Sequence, residues 1–180
     1  GNAGIGRTLV GDARGYGSVI VMPETQSQEK KDMRRLIGAD LRLVPAKPYS
    51  DPMNYVRYSE RLAGEIAEQE PNGAIWANQF DNVANRRAHY EGTGAEIWDQ
   101  TDGNIDAFTC AVGTGGTSAG VAQALKERKK DVKIMLADPC GSALHNYFTE
   151  GELKAEGNSI TEGIGQGRIT KNLEAAPIDG

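Results

Sequence analysis

The 180 residues carry 20 Lys and Arg against 25 Asp and Glu, a formal charge of −5, with 38% apolar residues and 6% aromatics. A pI near 5.1 leaves no basic face to follow a phosphate backbone, which excludes an electrostatic nucleic-acid binder. No stretch reaches the roughly 20 apolar residues of a membrane span and no apolar leader opens the chain, so the expectation is a cytoplasmic protein without a membrane partner. Cys110 and Cys140 lack the CxxC spacing and neighbouring histidines of a zinc site. Both are expected to be reduced and buried, with Cys110 packed in the core. The short runs Arg34-Arg35, Arg86-Arg87 and Lys129-Lys130 are expected on solvated helix surface.

Apolar runs alternate with helical patterns along the chain, the mark of an α/β fold with a mainly parallel sheet. The opening Gly1-Asn2-Ala3-Gly4-Ile5-Gly6 reads as a loop that runs into a helix ending near Arg14-Gly15, with Asn2 a candidate cap. Ser18 to Met22 is a nearly continuous apolar run stopped by Pro23, as a buried strand would be. Thr25 and Gln28 form a capping-box pattern for a helix that places Met33, Leu36 and Ile37 on one face and ends at Gly38. Leu41 to Val44 is the next strand. Asp51-Pro52 suggests an N-cap and a first-turn proline for a helix that buries Tyr55, Ser59, Leu62, Ala63 and Ile66 and closes at Pro71-Asn72-Gly73. Ala74 to Ala77 reads as a third strand, followed by a polar Asn- and Gln-rich stretch through Asn85. Ala107 to Val112 is a fourth strand, leading through Gly113-Thr114-Gly115-Gly116-Thr117 into a helix from about Ser118 to Lys130; Lys133 to Ala137 is a fifth. The last forty residues, rich in Gly and polar side chains, read as loops and short helices.

The strand, glycine-rich turn and helix around Gly113–Thr117 form the most informative element. Small residues expose backbone N–H groups, a helix N-terminus adds about half a positive charge, and Thr114, Thr117 and Ser118 add hydroxyls. Such a cradle suits a phosphate; the alternative is a tight turn with no ligand. A dinucleotide fingerprint would require glycine where Ser118 stands, and a Walker A lysine is absent, yet Asp138 at the end of the next strand keeps a dinucleotide reading open.

Gly1 to Gly6, Val21-Met22-Pro23-Glu24, Asn78 to Asn82, Thr93 to Trp98, Gly113 to Thr117 and Glu162 to Gly165 occur in the order in which cysteine synthases carry such motifs. Over essentially its whole length the chain resembles a cysteine synthase (O-acetylserine sulfhydrylase) of the pyridoxal-phosphate fold type II family, with the sister enzyme cystathionine β-synthase sharing most of the motifs. The resemblance implies open, mainly parallel sheets with helices on both faces, as in tryptophan synthase β-like enzymes. It implies a small, movable N-terminal α/β domain over residues 1–83 and part of the large cofactor domain over 84–180, with residues 17–70 closing over the substrate.

The implied cofactor is pyridoxal 5'-phosphate, its phosphate held by Gly113, Thr114, Gly115, Gly116 and Thr117 and its ring oxygen by Asn2. Gly1, Ala3 and Gln79 match positions that receive the substrate carboxylate, and Gly163 the loop beside the substrate side chain. Ala3 replaces the usual threonine and removes a hydroxyl donor. Arg7 occupies a helix position that is otherwise apolar, where burial without a partner would be costly. The implied reaction is β-replacement, in which O-acetylserine and sulfide give cysteine and acetate; the alternatives are the cystathionine β-synthase reaction and a fragment that only binds phosphate. The lysine that binds the cofactor covalently and a Thr-Ser pair are expected upstream of Gly1, and the partner of the pyridine nitrogen downstream. Lys30, Lys31, Lys126, Lys129, Lys130 and Lys133 are therefore read as solvated surface, and the chain as given as inactive alone. The resemblance also implies a homodimer in the complete protein and serine acetyltransferase as a partner.

Overall fold

The computed structural model describes residues 2–157, 161 and 163–180, and of Asn2 the backbone alone. The chain divides into two compact units, Gly1–Asn78 and Gln79–Gly180.

In the first unit, helix α1 (Asn2–Asp12) precedes strand β1 (Val19–Pro23), helix α2 (Gln28–Leu36), strand β2 (Asp40–Val44) and helix α3 (Tyr55–Gln69). The strands pair in parallel from Val19 opposite Asp40 to Pro23 opposite Val44. Helix α3 packs on β1 with the anticipated face, because Tyr55, Ser59, Leu62, Ala63 and Ile66 are all partly buried. Its cap differs from expectation. Asp51 spends its carboxylate on the Met53 N–H (2.8 Å), and the cap is Asn54, whose Oδ1 accepts from the Val56 N–H (3.0 Å) while its amide holds the Lys47 carbonyl (2.8 Å). Nor does the capping box form before α2: Ser27 is the cap residue, and the Gln28 amide turns to Asp32 (2.7 Å).

The expected apolar face of α2 is also displaced. Leu36 is 82% exposed, whereas Arg34 is 1% exposed and corrects the surface assignment of the Arg34-Arg35 pair. Its guanidinium donates to the Lys30 carbonyl and lies over α1 where Gly4 has no Cβ. Arg7, by contrast, remains exposed. The strand expected at Ala74–Ala77 does not form: Ile75 is 93% exposed and, among the described residues, no strand is paired with this segment.

Early in the second unit a helical stretch begins at Ala84, within the polar segment read through Asn85, and continues where the sequence pattern assigns no element. Helix α4 (Ala84–Ala88) passes through a π-helical turn (His89–Thr93) into helix α5 (Gly94–Gln100). Strand β3 (Ala107–Ala111), helix α6 (Gly116–Arg128) and strand β4 (Lys133–Ala137) then form a parallel crossover, with Ala107 opposite Lys133 and Ala111 opposite Ala137. The strands fall where expected, and α6 starts two residues earlier.

Helix α6 is buried around most of its circumference, which its small residues permit. Val121, Ala122 and Leu125 form a core with Val132 and Ile134, closed by Ile97, Trp98, Ile105, Phe108 and Ile178. A second cluster of Val112, Leu144 and Leu173 lies beside helix α7 (Leu144–Glu150). Two of the lysines read as solvated are paired instead: Lys126 with Asp179 (2.8 Å) and Lys129 with Asp106 (3.0 Å) and the Ile105 carbonyl (3.0 Å). Cys110 is half-buried with its thiol pKa pushed up by burial, but Cys140 is exposed, on a turn past the end of β4, which corrects the expectation that both are buried.

Candidate functional site

Strand β3 ends at Ala111, and the chain turns through Gly113-Thr114-Gly115 before α6 begins at Gly116. The turn needs Gly115 on conformational grounds, since its φ is +85°. The other glycines are required by protein neighbours. A Cβ on Gly113 would lie 2.3 Å from the Gly163 carbonyl, and one on Gly116 would lie 2.2 Å from Asn85 Oδ1. The structure thus brings Gly163 against Gly113, two of the anticipated site residues.

Asn85 unites two more. Its Nδ2 donates to the Gln79 carbonyl (2.9 Å) and to Thr114 Oγ1 (2.8 Å). Because the Gln79 carbonyl can only accept, the amide orientation is fixed. Thr114 Oγ1 also accepts a long contact from the Gly116 N–H (3.4 Å), so both lone pairs of the hydroxyl face the protein and its proton remains to be donated outward. The Thr114 carbonyl accepts from Thr170 Oγ1 (2.7 Å). Asn172, fully buried, holds the Gln79 and Phe80 carbonyls (3.0 and 2.7 Å) and accepts from the Arg86 N–H (3.0 Å). Arg168 reaches both oxygens of Asp81 (3.0 and 2.8 Å), holding that carboxyl below its ordinary pKa, and the Lys171 N–H joins them (3.0 Å).

The first helical N–H to find a carbonyl is that of Ala119, bonded to Gly115 (2.9 Å). The N–H groups of Thr117 and Ser118 in the turn ahead of it have no acceptor within the helix. Two helix-terminal N–H groups, the Thr114 hydroxyl and the positive end of a 13-residue helix therefore meet at one place, which fits a phosphate monoester. Asp138 is employed elsewhere than at a ribose: its Oδ2 accepts from the His145 N–H (2.9 Å) and so caps α7.

Of the remaining anticipated residues, Ala3 is exposed on the first turn of α1, in the other unit. Gly1, the Asn2 side chain and the motif residue Glu162 lie outside the described residues. Sequence reasoning missed Asn85, His89, Thr170 and Asn172. Only the polarity of the stretch through Asn85 hinted at any of them.

The family model for pyridoxal-phosphate dependent enzymes matches residues 1–178. The chain belongs to that family. Its members use pyridoxal phosphate, which displaces the dinucleotide reading. Cysteine synthase 1 of Neurospora crassa is 54% identical over 177 residues, covering 97% of this chain and 46% of that protein. Among solved structures, a hydrogen sulfide-producing enzyme of Fusobacterium nucleatum matches with a TM-score of 0.81 at 30% identity, covering 100% of this chain and 55% of its own. O-Acetyl serine sulfhydrylase isoform 3 of Entamoeba histolytica matches with a TM-score of 0.80 at 36% identity, covering 99% and 50%. The α/β architecture is thus that of the fold type II enzymes. The chain spans about half the length of the curated relatives it matches. Among the described residues no helix is long and apolar enough to cross a membrane.

Proposed function

We propose that this chain is the part of a cysteine synthase that carries the cofactor's phosphate site, and that the complete protein forms cysteine and acetate from O-acetylserine and sulfide by β-replacement. The observation that carries the reading is the Gly113–Thr117 turn, whose outward donors match a phosphate, in a chain 54% identical to a cysteine synthase. When bound, pyridoxal phosphate supplies an electron sink for the substrate's α-carbon.

The chain's own residues anchor and orient. Thr114, Thr117 and the N-terminus of α6 hold the phosphate, and Asn85 and Asn172 fix the Gln79 loop, where the substrate carboxylate is received together with Gly1 and Ala3. Gly163, seated on Gly113, borders the same place, and Asn2 holds the cofactor ring. Residues 1–83 form the small movable domain and 84–180 part of the large one. The complete protein is proposed to be a cytoplasmic homodimer that receives the tail of serine acetyltransferase at this site.

The test has two arms. Inorganic phosphate added to the 180-residue chain should shift the backbone amide resonances of Gly113–Thr117; shifts confined elsewhere would overturn the site. The complete protein should consume O-acetylserine with sulfide faster than serine with homocysteine, and the reverse preference would assign the cystathionine β-synthase reaction instead.

A further inference from the structure

The two threonines of the glycine-rich turn are backed from one continuous helical stretch, by α4 and by the π-helical turn that follows it. Asn85 donates to Thr114 Oγ1 (2.8 Å), and four residues later His89 Nε2 lies 3.1 Å from Thr117 Oγ1. The approach is close because two glycines allow it. A Cβ on Gly120, one turn after Thr117, would meet the Arg86 carbonyl at 2.4 Å and His89 Cβ at 2.8 Å. One on Gly94, just after the π-helical turn that carries His89, would meet Ala124 Cβ at 2.5 Å. The other ring nitrogen, Nδ1, lies 2.9 Å from Thr93 Oγ1, so both nitrogens of a half-buried imidazole face hydroxyls.

A neutral imidazole donates from one nitrogen and accepts at the other. If Nδ1 carries the proton, Nε2 must accept, and the Thr117 proton is drawn inward to the ring. Only lone pairs would then face a bound anion. If Nε2 carries the proton, it donates to Thr117 Oγ1, the Thr93 hydroxyl donates to Nδ1, and the exposed Thr117 hydroxyl keeps its own proton for an acceptor outside. A phosphate oxygen accepts and never donates when ionised, so it selects the second arrangement.

We infer that His89 is a positioning residue of the phosphate site: its Nε2–H holds Thr117 Oγ1 so that the Thr117 proton is donated to the phosphate, as Asn85 does for Thr114. The inference rests on the reading of Gly113–Thr117 as a phosphate site. Each backed hydroxyl contributes one charge-assisted hydrogen bond, and losing one weakens phosphate binding about tenfold.

The test reads the ring itself. The 180-residue chain, labelled with 15N at histidine, is titrated with inorganic phosphate in mildly alkaline buffer, and long-range 1H–15N correlations report which nitrogen of His89 carries the proton. His145, in α7, is the internal control. The expected result is loop amides that shift with phosphate and a bound state in which Nε2 is protonated. Loop shifts with Nε2 remaining an acceptor would overturn the role of His89 and leave the phosphate site standing. Loop amides that ignore phosphate at every concentration would overturn both. His89→Gln, whose amide can donate in place of the ring, should bind phosphate within about threefold of the wild type, and His89→Leu about tenfold more weakly. Equal binding by His89→Leu would refute the inference.

Discussion

Glycine to alanine in the middle of a helix ordinarily stabilises a protein by about 1 kcal/mol, because alanine loses less chain entropy. Gly120 and Gly64 both lie inside helices, α6 and α3, and should respond with opposite signs. Gly64 faces open space, with no atom within 4 Å of the methyl that alanine would add, so Gly64→Ala should gain the full amount. At Gly120 the methyl would lie 2.4 Å from the Arg86 carbonyl and 2.8 Å from the Tyr90 nitrogen, both backbone atoms. Restoring ordinary contact requires α6 to retreat by about 1 Å, and a gap of that size forfeits a quarter to a half of the van der Waals attraction across the opposite contacts. Those contacts are made by Val121, Ala122 and Leu125, each 0% exposed. Overpacking of this kind costs about 3 kcal/mol at the upper end, so after the helix gain Gly120→Ala should lose about 2 kcal/mol. For a unit of this size that is a fall in Tm of roughly 8–16 °C. Thermal unfolding followed by Trp98 fluorescence in a Trp76→Phe background reads the second unit, and the reverse background reads the first. A stabilising Gly120→Ala would show that the close approach of α6 to the π-helical turn is not what demands glycine there.

Three further outcomes are expected. Asp81 has a lowered pKa, chiefly through its hydrogen bond to Arg168, so the stability this pair adds is present above about pH 5 and is lost as the pH falls through the depressed folded value. Urea titrations of Asp81→Asn should therefore differ from wild type at pH 7 and approach it as the pH falls far enough to protonate Asp81 in the folded protein; a constant difference would refute the linkage. Asn172→Ala strands two carbonyls and the Arg86 N–H, and should cost about 2–4 kcal/mol in the same assay. A thiol reagent should label Cys140 quickly and Cys110 only slowly, since burial both covers the Cys110 thiol and raises its pKa; Cys140→Ser should abolish the fast phase.

Four of the five expected strands and the glycine-rich turn were legible because their signals are local: continuous apolar runs, a proline stop and three glycines in four residues; the apolar run Ala74–Ala77 misled because it has no neighbouring strand among the described residues. Helix α2 was legible in position but not in orientation. Its apolar pattern suggested Leu36 inside, while the place is taken by Arg34, admitted by a missing Cβ on α1 some thirty residues earlier. The segment from Ala84 to Gln100 was illegible as helix because two glycines and a π-helical turn interrupt its period, and those interruptions let it lie against α6. The glycine-rich turn itself was evident from composition, but the residues bonded to its hydroxyls and carbonyl were not. Asn85, His89, Thr170 and Asn172 act across separations that no local window spans.

Those separations have a consequence for how the protein is made. Strand β3, the turn and α6 are complete by Arg128, yet the turn's geometry is clamped by Gly163, Thr170 and Leu173. During synthesis the anion cradle therefore emerges well before the residues that lock it, and closing those long loops is a late step in folding. A nascent chain holds the sequence of the proposed phosphate site for some forty residues of elongation before the residues that clamp it follow. On the proposed reading, capture of the cofactor's phosphate then reports that this downstream segment has docked.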